Sequence, residues 1–218
     1  MKIYITKFSS FTPSPENPSE TPKLPYVDAL FKRRLSQITR MTIEAVHGLV
    51  EDDEKNANLK LVFASFRGEI ARQLKINRGL IEDAEIMPAQ FSISVFNTPP
   101  AATTIALKMK AGYTAIYPSE DNFSSCILAA ASGILAPVEH REGETSHKII
   151  FAYADEKIPD EYKDVAGYTD ELPLAFACIF STENSDGAIE VDLSEENLSE
   201  IAKVPKDFLD FLLKKQRG

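Results

Sequence analysis

The chain has 218 residues, 44% of them hydrophobic and 26% charged, which suits one globular domain with a sizeable core and excludes a disordered chain. Its 33 acidic residues outnumber 24 basic ones, and the formal charge of −9 argues against nucleic-acid binding. Two cysteines in apolar runs, Cys126 and Cys178, exclude a disulfide framework, and three scattered histidines exclude a zinc cluster.

The N-terminal MKIYITKF alternates polar and apolar residues and lacks the apolar run of a signal peptide. The longest apolar stretches, Leu128 to Ala136 and Leu172 to Phe180, are shorter than a membrane span, so a cytoplasmic protein without one is expected.

A first strand is predicted over Lys2 to Phe8. Ser9 to Pro25 holds five of the thirteen prolines and reads as a surface loop. Asp28 then caps a long predicted helix to Val50, with Leu30, Ile38, Met41, Ala45 and Val46 as its inner stripe. Leu59 to Phe66 reads as a buried strand, and Gly68 turns it into a helix over Glu69 to Ala84. Thr98-Pro99-Pro100 starts a third helix that Gly112 ends, because proline in a first turn has no N–H partner to lose.

Tyr113 to Tyr117 is a β-rich run, followed by a helix from Asp121 to Leu135 and a strand from His147 to Asp155. Leu174 to Ser181 and Ala188 to Leu193 read as antiparallel strands joined by the turn ENSDG. The end of the chain is helical. Ser194 caps it with Asn197 where a capping box wants Glu or Gln, and Phe208, Leu209, Leu212 and Leu213 give an apolar stripe. The order predicts an α/β fold with a mixed sheet flanked by helices.

Candidate chemistry is sparse. Cys126 follows a turn near a helix start, where a thiolate gains stabilisation, but it belongs to the apolar face SSCILAAASGIL, where cysteine behaves as a small hydrophobe. Glu120 and Asp121 could do acid–base work if desolvated, or serve as the N-cap and macrodipole partners of the helix they precede. His47, His140 and His147 read as structural or surface groups. Lys32, Arg33, Arg34 and Arg40 are the one basic cluster, which could receive an acidic partner, although a solvated helix face is the simpler account. No phosphate loop, dinucleotide fingerprint or metal motif is present, so neither metal nor cofactor is expected.

Five blocks in order resemble the N-terminal half of a β-ketoacyl synthase, and more narrowly a short chain-length-factor-like subunit as in aryl polyene-type biosynthesis. They are RRLSQITRMTIEAV (Arg33 to Val46), VFASFRGEI (Val62 to Ile70), FSISVFNTPPAATTIAL (Phe91 to Leu107), YPSEDNFSSCILAA (Tyr117 to Ala130) and IIFAYADEKIP (Ile149 to Pro159). The resemblance implies a thiolase-like half-fold, one of the two βαβαβαββ halves of a synthase, over a single domain at 1–218. A synthase carries its nucleophilic cysteine at a strand-to-helix turn of the first half and its catalytic histidines in the second. Here the spacing from Gly112 places Asp121 at the nucleophile position, with Glu120 the second choice, and no stretch after Leu193 resembles the second half's motifs. A carboxylate there forms no thioester.

The resemblance therefore implies a non-catalytic subunit. Its expected partner is a full-length β-ketoacyl synthase, in a heterodimer that completes the dimer interface and acyl tunnel. An acyl carrier protein is a further expected partner, and a homodimer is expected when the chain is alone. Synthase dimers join through the strand before the nucleophile turn, which assigns Phe96, Asn97, Tyr113, Ile116, Tyr117 and Phe123 to interface and tunnel. The alternatives are a stand-alone module binding acyl thioesters or an acyl carrier protein, and a thiol enzyme using Cys126.

Overall fold

A computed structural model describes residues 1–50, 54–85, 87–118, 122–135, 147–163, 165 and 172–217. The chain opens with β1 (Lys2–Phe11), where Ile3 and Ile5 are buried. This strand outruns its expected end at Phe8, because Ser9, Ser10 and Phe11 continue the ladder opposite Ala177, Phe176 and Ala175. The proline-rich segment thus loses regular structure only from Thr12. It is strapped to the body: Pro13, Pro22, Leu24 and Val27 are buried, and Gln37 donates to the carbonyls of Pro18 and Glu20 at 2.8 and 2.9 Å.

The long helix expected from Asp28 to Val50 is two helices. Asp28 caps α1 (Ala29–Lys32), accepting from the N–H groups of Leu30 and Phe31 at 3.0 and 2.9 Å. The chain then turns, and the Ser36 hydroxyl accepts from the Thr39 N–H at 3.2 Å to open α2 (Gln37–Val50). Leu30, expected on the inner stripe, is 70% exposed because the break takes it off the α2 face, while Ile38, Met41, Ala45 and Val46 are fully buried.

There follow β2 (Leu61–Ala64), α3 (Ile70–Asp83), α4 (Pro88–Phe91), α5 (Thr98–Ala106), β3 (Tyr113–Ile116) and α6 (Phe123–Leu135). The helix expected to reach Gly112 stops at Ala106, where Lys108 takes a positive φ of 55°. The rest is β4 (Lys148–Asp155), β5 (Leu174–Ser181), β6 (Ile189–Asp192), α7 (Glu195–Ile201) and α8 (Pro205–Gln216).

The sheet order is β3-β2-β4-β5-β1-β6, with β1 to β4 running one way and β5 and β6 the other. The expected β5–β6 hairpin does not form. β1 lies between the two, and Tyr4 pairs with Ser181 on one side and Glu190 on the other. A buried strand placed there satisfies the backbone groups along both its edges.

Side-chain alternation divides the core. Ile149, Phe151, Tyr153, Phe176, Cys178 and Phe180 face α6 and α8, whereas Ile150, Ala152, Ala154, Ala175, Ala177 and Ile179 face α2. Bulky residues fill one face and alanines the other, so α2 lies close to the sheet. At Gly48 the approach is closest: a Cβ there would stand 2.3 Å from Ser9 Oγ. The result is a mixed sheet between two helical layers, as the resemblance implied.

Candidate functional site

The parallel strands β1 to β4 end at one edge of the sheet, the edge where open α/β sheets bind ligands. Beyond β2 the chain turns through Ser65–Gly68 into α3, with Gly68 at φ 56°. The Ser65 hydroxyl accepts from the N–H of Gly68 at 2.7 Å and donates to Asp155 Oδ1 at 2.6 Å. That carboxylate also accepts from the N–H groups of Arg67 and Phe66, at 3.1 and 3.4 Å, and from the Tyr153 hydroxyl. Burial pushes the Asp155 carboxyl above the usual carboxylate range, and the bonds from Ser65 and Tyr153 offset only part of that rise. Every oxygen of Asp155 is occupied, so it fastens the end of β4 to the turn after β2.

A second buried pair lies beside it. Glu156 accepts from Ala71 N–H at 3.1 Å and Ile38 N–H at 3.4 Å, so one carboxyl meets the first turns of α3 and α2. Glu69, fully buried, accepts from the hydroxyls of Ser36 and Thr39, each at 2.7 Å, and from Arg72 Nε at 3.0 Å. Burial first, and the Glu69 charge second, push the Glu156 carboxyl up to about 8. The sequence reading missed Asp155 and Glu156; their signal was two carboxylates directly after the buried run IIFAYA.

The same edge carries a cavity of about 430 Å³ lined by Arg67, Tyr153, Leu172, Leu174, Val204 and residues of α8 down to Leu213. Aliphatic side chains such as Leu172, Leu174 and Leu209 share its walls with charged ones, Arg67, Asp155, Lys206, Asp207 and Asp210, and its size falls in the range of small-molecule sites.

At the side of the sheet, β3 pairs with β2 alone among the described residues, which leaves its outer edge open. The structure gathers four of the expected interface residues there. The Phe96 ring lies edge-on to Tyr117 at 6.0 Å and 6.3 Å from Phe63, while Asn97 Nδ2 donates to the Tyr113 hydroxyl at 3.0 Å. Tyr117 is 66% exposed. Ile116 packs partly against the α6-side core. Phe123 stands apart from them: it has no exposed surface and is enclosed by Phe151, Tyr153, Phe176 and Phe208.

Asp121, Glu120 and His140 lie outside the described residues. Cys126 is fully buried in α6, and desolvation pushes its thiol up to about 12, which removes the thiolate that a thiol enzyme would need. Burial likewise pushes the Cys178 thiol up. His47 stacks on Tyr26 at 3.5 Å, and His147 Nδ1 lies 3.5 Å from the Thr182 hydroxyl. In the basic cluster, Lys32 donates to the carbonyls of Lys23 and Leu24 and Arg40 to that of Lys32, so these two charges hold the N-terminal strap. Among the described residues no three His, Cys, Asp or Glu side chains stand together as metal ligands, and no helix is long and apolar enough to cross a membrane.

A family model described as β-ketoacyl synthase, N-terminal domain, matches residues 9–210. The chain belongs to that family. No curated protein sequence matches this synthase-family chain. Among solved structures, the ketosynthase ApeO in complex with its chain length factor ApeC from Xenorhabdus doucetiae aligns with a TM-score of 0.67 at 21% identity, over 85% of this chain and 81% of that one. The ishigamide ketosynthase/chain length factor aligns at 0.62 and 13%, over 85% and 64% of the two chains. The type II polyketide ketosynthase AntDE, in complex with its acyl-carrier protein AntF and bound to the hexaketide, aligns at 0.59 and 12%, over 83% and 63%. The synthase-family chain thus spans less than two thirds of the last two, and at these identities the likeness shows a thiolase-like ketosynthase fold.

Proposed function

We propose that this β-ketoacyl synthase-family chain is a non-catalytic, chain-length-factor-like subunit. In this reading it pairs with a full-length β-ketoacyl synthase in fatty-acid or polyketide synthesis of the aryl polyene type. The pair is a cytoplasmic heterodimer in which the whole of 1–218 acts as one domain, and the chain forms a homodimer when alone. The observation that carries the reading is the open β3 edge with Phe96, Asn97, Tyr113 and Tyr117 clustered on it. An edge strand exposes unpaired N–H and C=O groups that a partner strand satisfies, and aromatic anchors supply the apolar contact. Two of the solved neighbours are themselves complexes or pairs of a ketosynthase with a chain length factor. Asp121 stands at the nucleophile position, with Glu120 the second choice, so condensation falls to the partner; given the −9 charge here, carrier-protein docking falls to the partner or to the Arg33/Arg34 patch.

The test is co-expression with a β-ketoacyl synthase encoded beside it, affinity capture through one subunit and sizing. The expected result is a stoichiometric complex whose condensing activity is lost with the synthase's cysteine and survives Asp121→Ala and Cys126→Ala here. Absence of a complex, with acyl-thioester turnover by the lone chain, sinks the reading.

A second reading, an acyl-thioester binding module, is favoured by the 430 Å³ cavity beneath α8. It predicts a monomer that binds a decanoyl thioester with no synthase present.

A further inference from the structure

Between α1, α2 and the segment leading into α5 lies a groove of about 290 Å³, whose apolar walls include Phe31, Leu35, Ile93, Val95, Ala101 and Ile105. Two of these are left bare at full size: Ile105 is 66% exposed and Val95 42%. Val95, in the segment before α5, and Ile105, on α5, line one apolar concavity, and a contiguous apolar concavity left open to solvent is a surface that a partner can cover. The groove is continuous with the edge strand. Asn97 lines it and at the same time donates to the Tyr113 hydroxyl on β3 at 3.0 Å, while Phe96, the residue before, touches Tyr117 at 6.0 Å. Among the described residues the groove is unfilled by this chain, and Arg34 stands on its lining as a cation.

We infer that this groove is the second half of the partner-binding face: the subunit whose strand pairs with β3 also inserts an aliphatic or aromatic side chain between Val95 and Ile105. The inference rests on the partner reading above and adds the anchor site to it. Strand pairing through backbone groups is nearly independent of sequence, so it cannot by itself distinguish one thiolase-fold subunit from another. A shaped apolar pocket beside the strand can, because a wrong side chain leaves it empty or clashes. The groove therefore fits the role of choosing the synthase over a second copy of this chain.

The experiment uses the full chain co-expressed with the adjacent synthase. Ile105→Asp and Val95→Asp, both at exposed positions, are compared with Tyr117→Asp on the strand edge, with circular dichroism confirming that each variant folds. The expected result is an affinity loss of at least tenfold for Ile105→Asp, and crosslinking to the synthase from a benzophenone amino acid at position 105 but not at position 190 on the far sheet edge. If Ile105→Asp and Val95→Asp bind like the unmodified chain while Tyr117→Asp does not, the groove assignment is overturned and the partner reading stands. If position 105 crosslinks to a second copy of this chain instead of the synthase, the occupant is wrong and the inference falls. If the unmodified chain captures no synthase, both readings fall together.

Discussion

At the scale of single residues, the buried acids carry the clearest consequences. Glu156 keeps its proton in the folded chain up to about pH 8, whereas an unfolded glutamate loses it near 4.5, so the folded state binds more protons between those values. Stability contributed by this group is therefore full below the window and falls as pH rises through it. Urea unfolding at pH 5, 6, 7 and 8 should show that decline, and Glu156→Gln, which mimics the protonated group, should flatten it. Equal slopes for the two proteins would refute the assignment. Asp155 acts differently, because it is the shared acceptor for Ser65, Tyr153 and two backbone N–H groups. Asp155→Ala leaves those donors buried without an acceptor, and at about 1–3 kcal/mol for each unsatisfied group the variant should lose about 3 kcal/mol or more in denaturant titration. A loss below about 1 kcal/mol would mean that water replaces the carboxylate.

At the scale of elements, the contact between α2 and β1 depends on a missing side chain. A methyl group at Gly48 would meet Ser9 Oγ at 2.3 Å and Ser9 Cβ at 2.9 Å. Gly48→Ala should cost about 1–3 kcal/mol through overpacking, despite alanine's better helix propensity. Adding Ser9→Gly should restore much of the loss, and a double mutant no more stable than the single one would rule the contact out. The break between α1 and α2 shows where local signals compete. Asp28 caps as expected, but Ser36 caps again eight residues on, and the chain obeys both caps by forming two helices. The β5–β6 connection shows the opposite: its turn composition was hairpin-like, yet β1 entered between the strands, because pairing with β1 on both sides satisfies more backbone than one short hairpin.

For the whole molecule, α8 covers one face of the sheet through Phe208, Leu209 and Leu212, which are buried with the aromatic cluster around Phe123. Phe208→Ala should cost about 3–5 kcal/mol, lower the unfolding midpoint and leave α8 open to proteolysis. An unchanged midpoint would mean that the tail is not part of the cooperative unit. The distribution of apolar surface separates structure from interaction. On the α6–α8 face the aromatic cluster around Phe123 is buried by the chain itself, with the cavity beside α8 left open, while the β3 edge and the groove beside it present Tyr117, Val95 and Ile105 to solvent.

Much of this was legible in the sequence. Alternation placed the first strand and apolar or β-rich runs most of the others, proline and serine positions placed helix starts, and the ordered blocks carried the family resemblance that the match over residues 9–210 bears out. Local pattern could do this because strand faces and first helical turns are decided by neighbours a few residues away. Only the tertiary structure decided that β1 sits between β5 and β6, that Phe123 belongs to the core, and that Asp155 and Glu156 tie β4 to the turn after β2 and the starts of α2 and α3. Those outcomes join residues from 28 to 190 positions apart, where burial and hydrogen-bond satisfaction depend on which surfaces meet and not on the order in which residues follow one another.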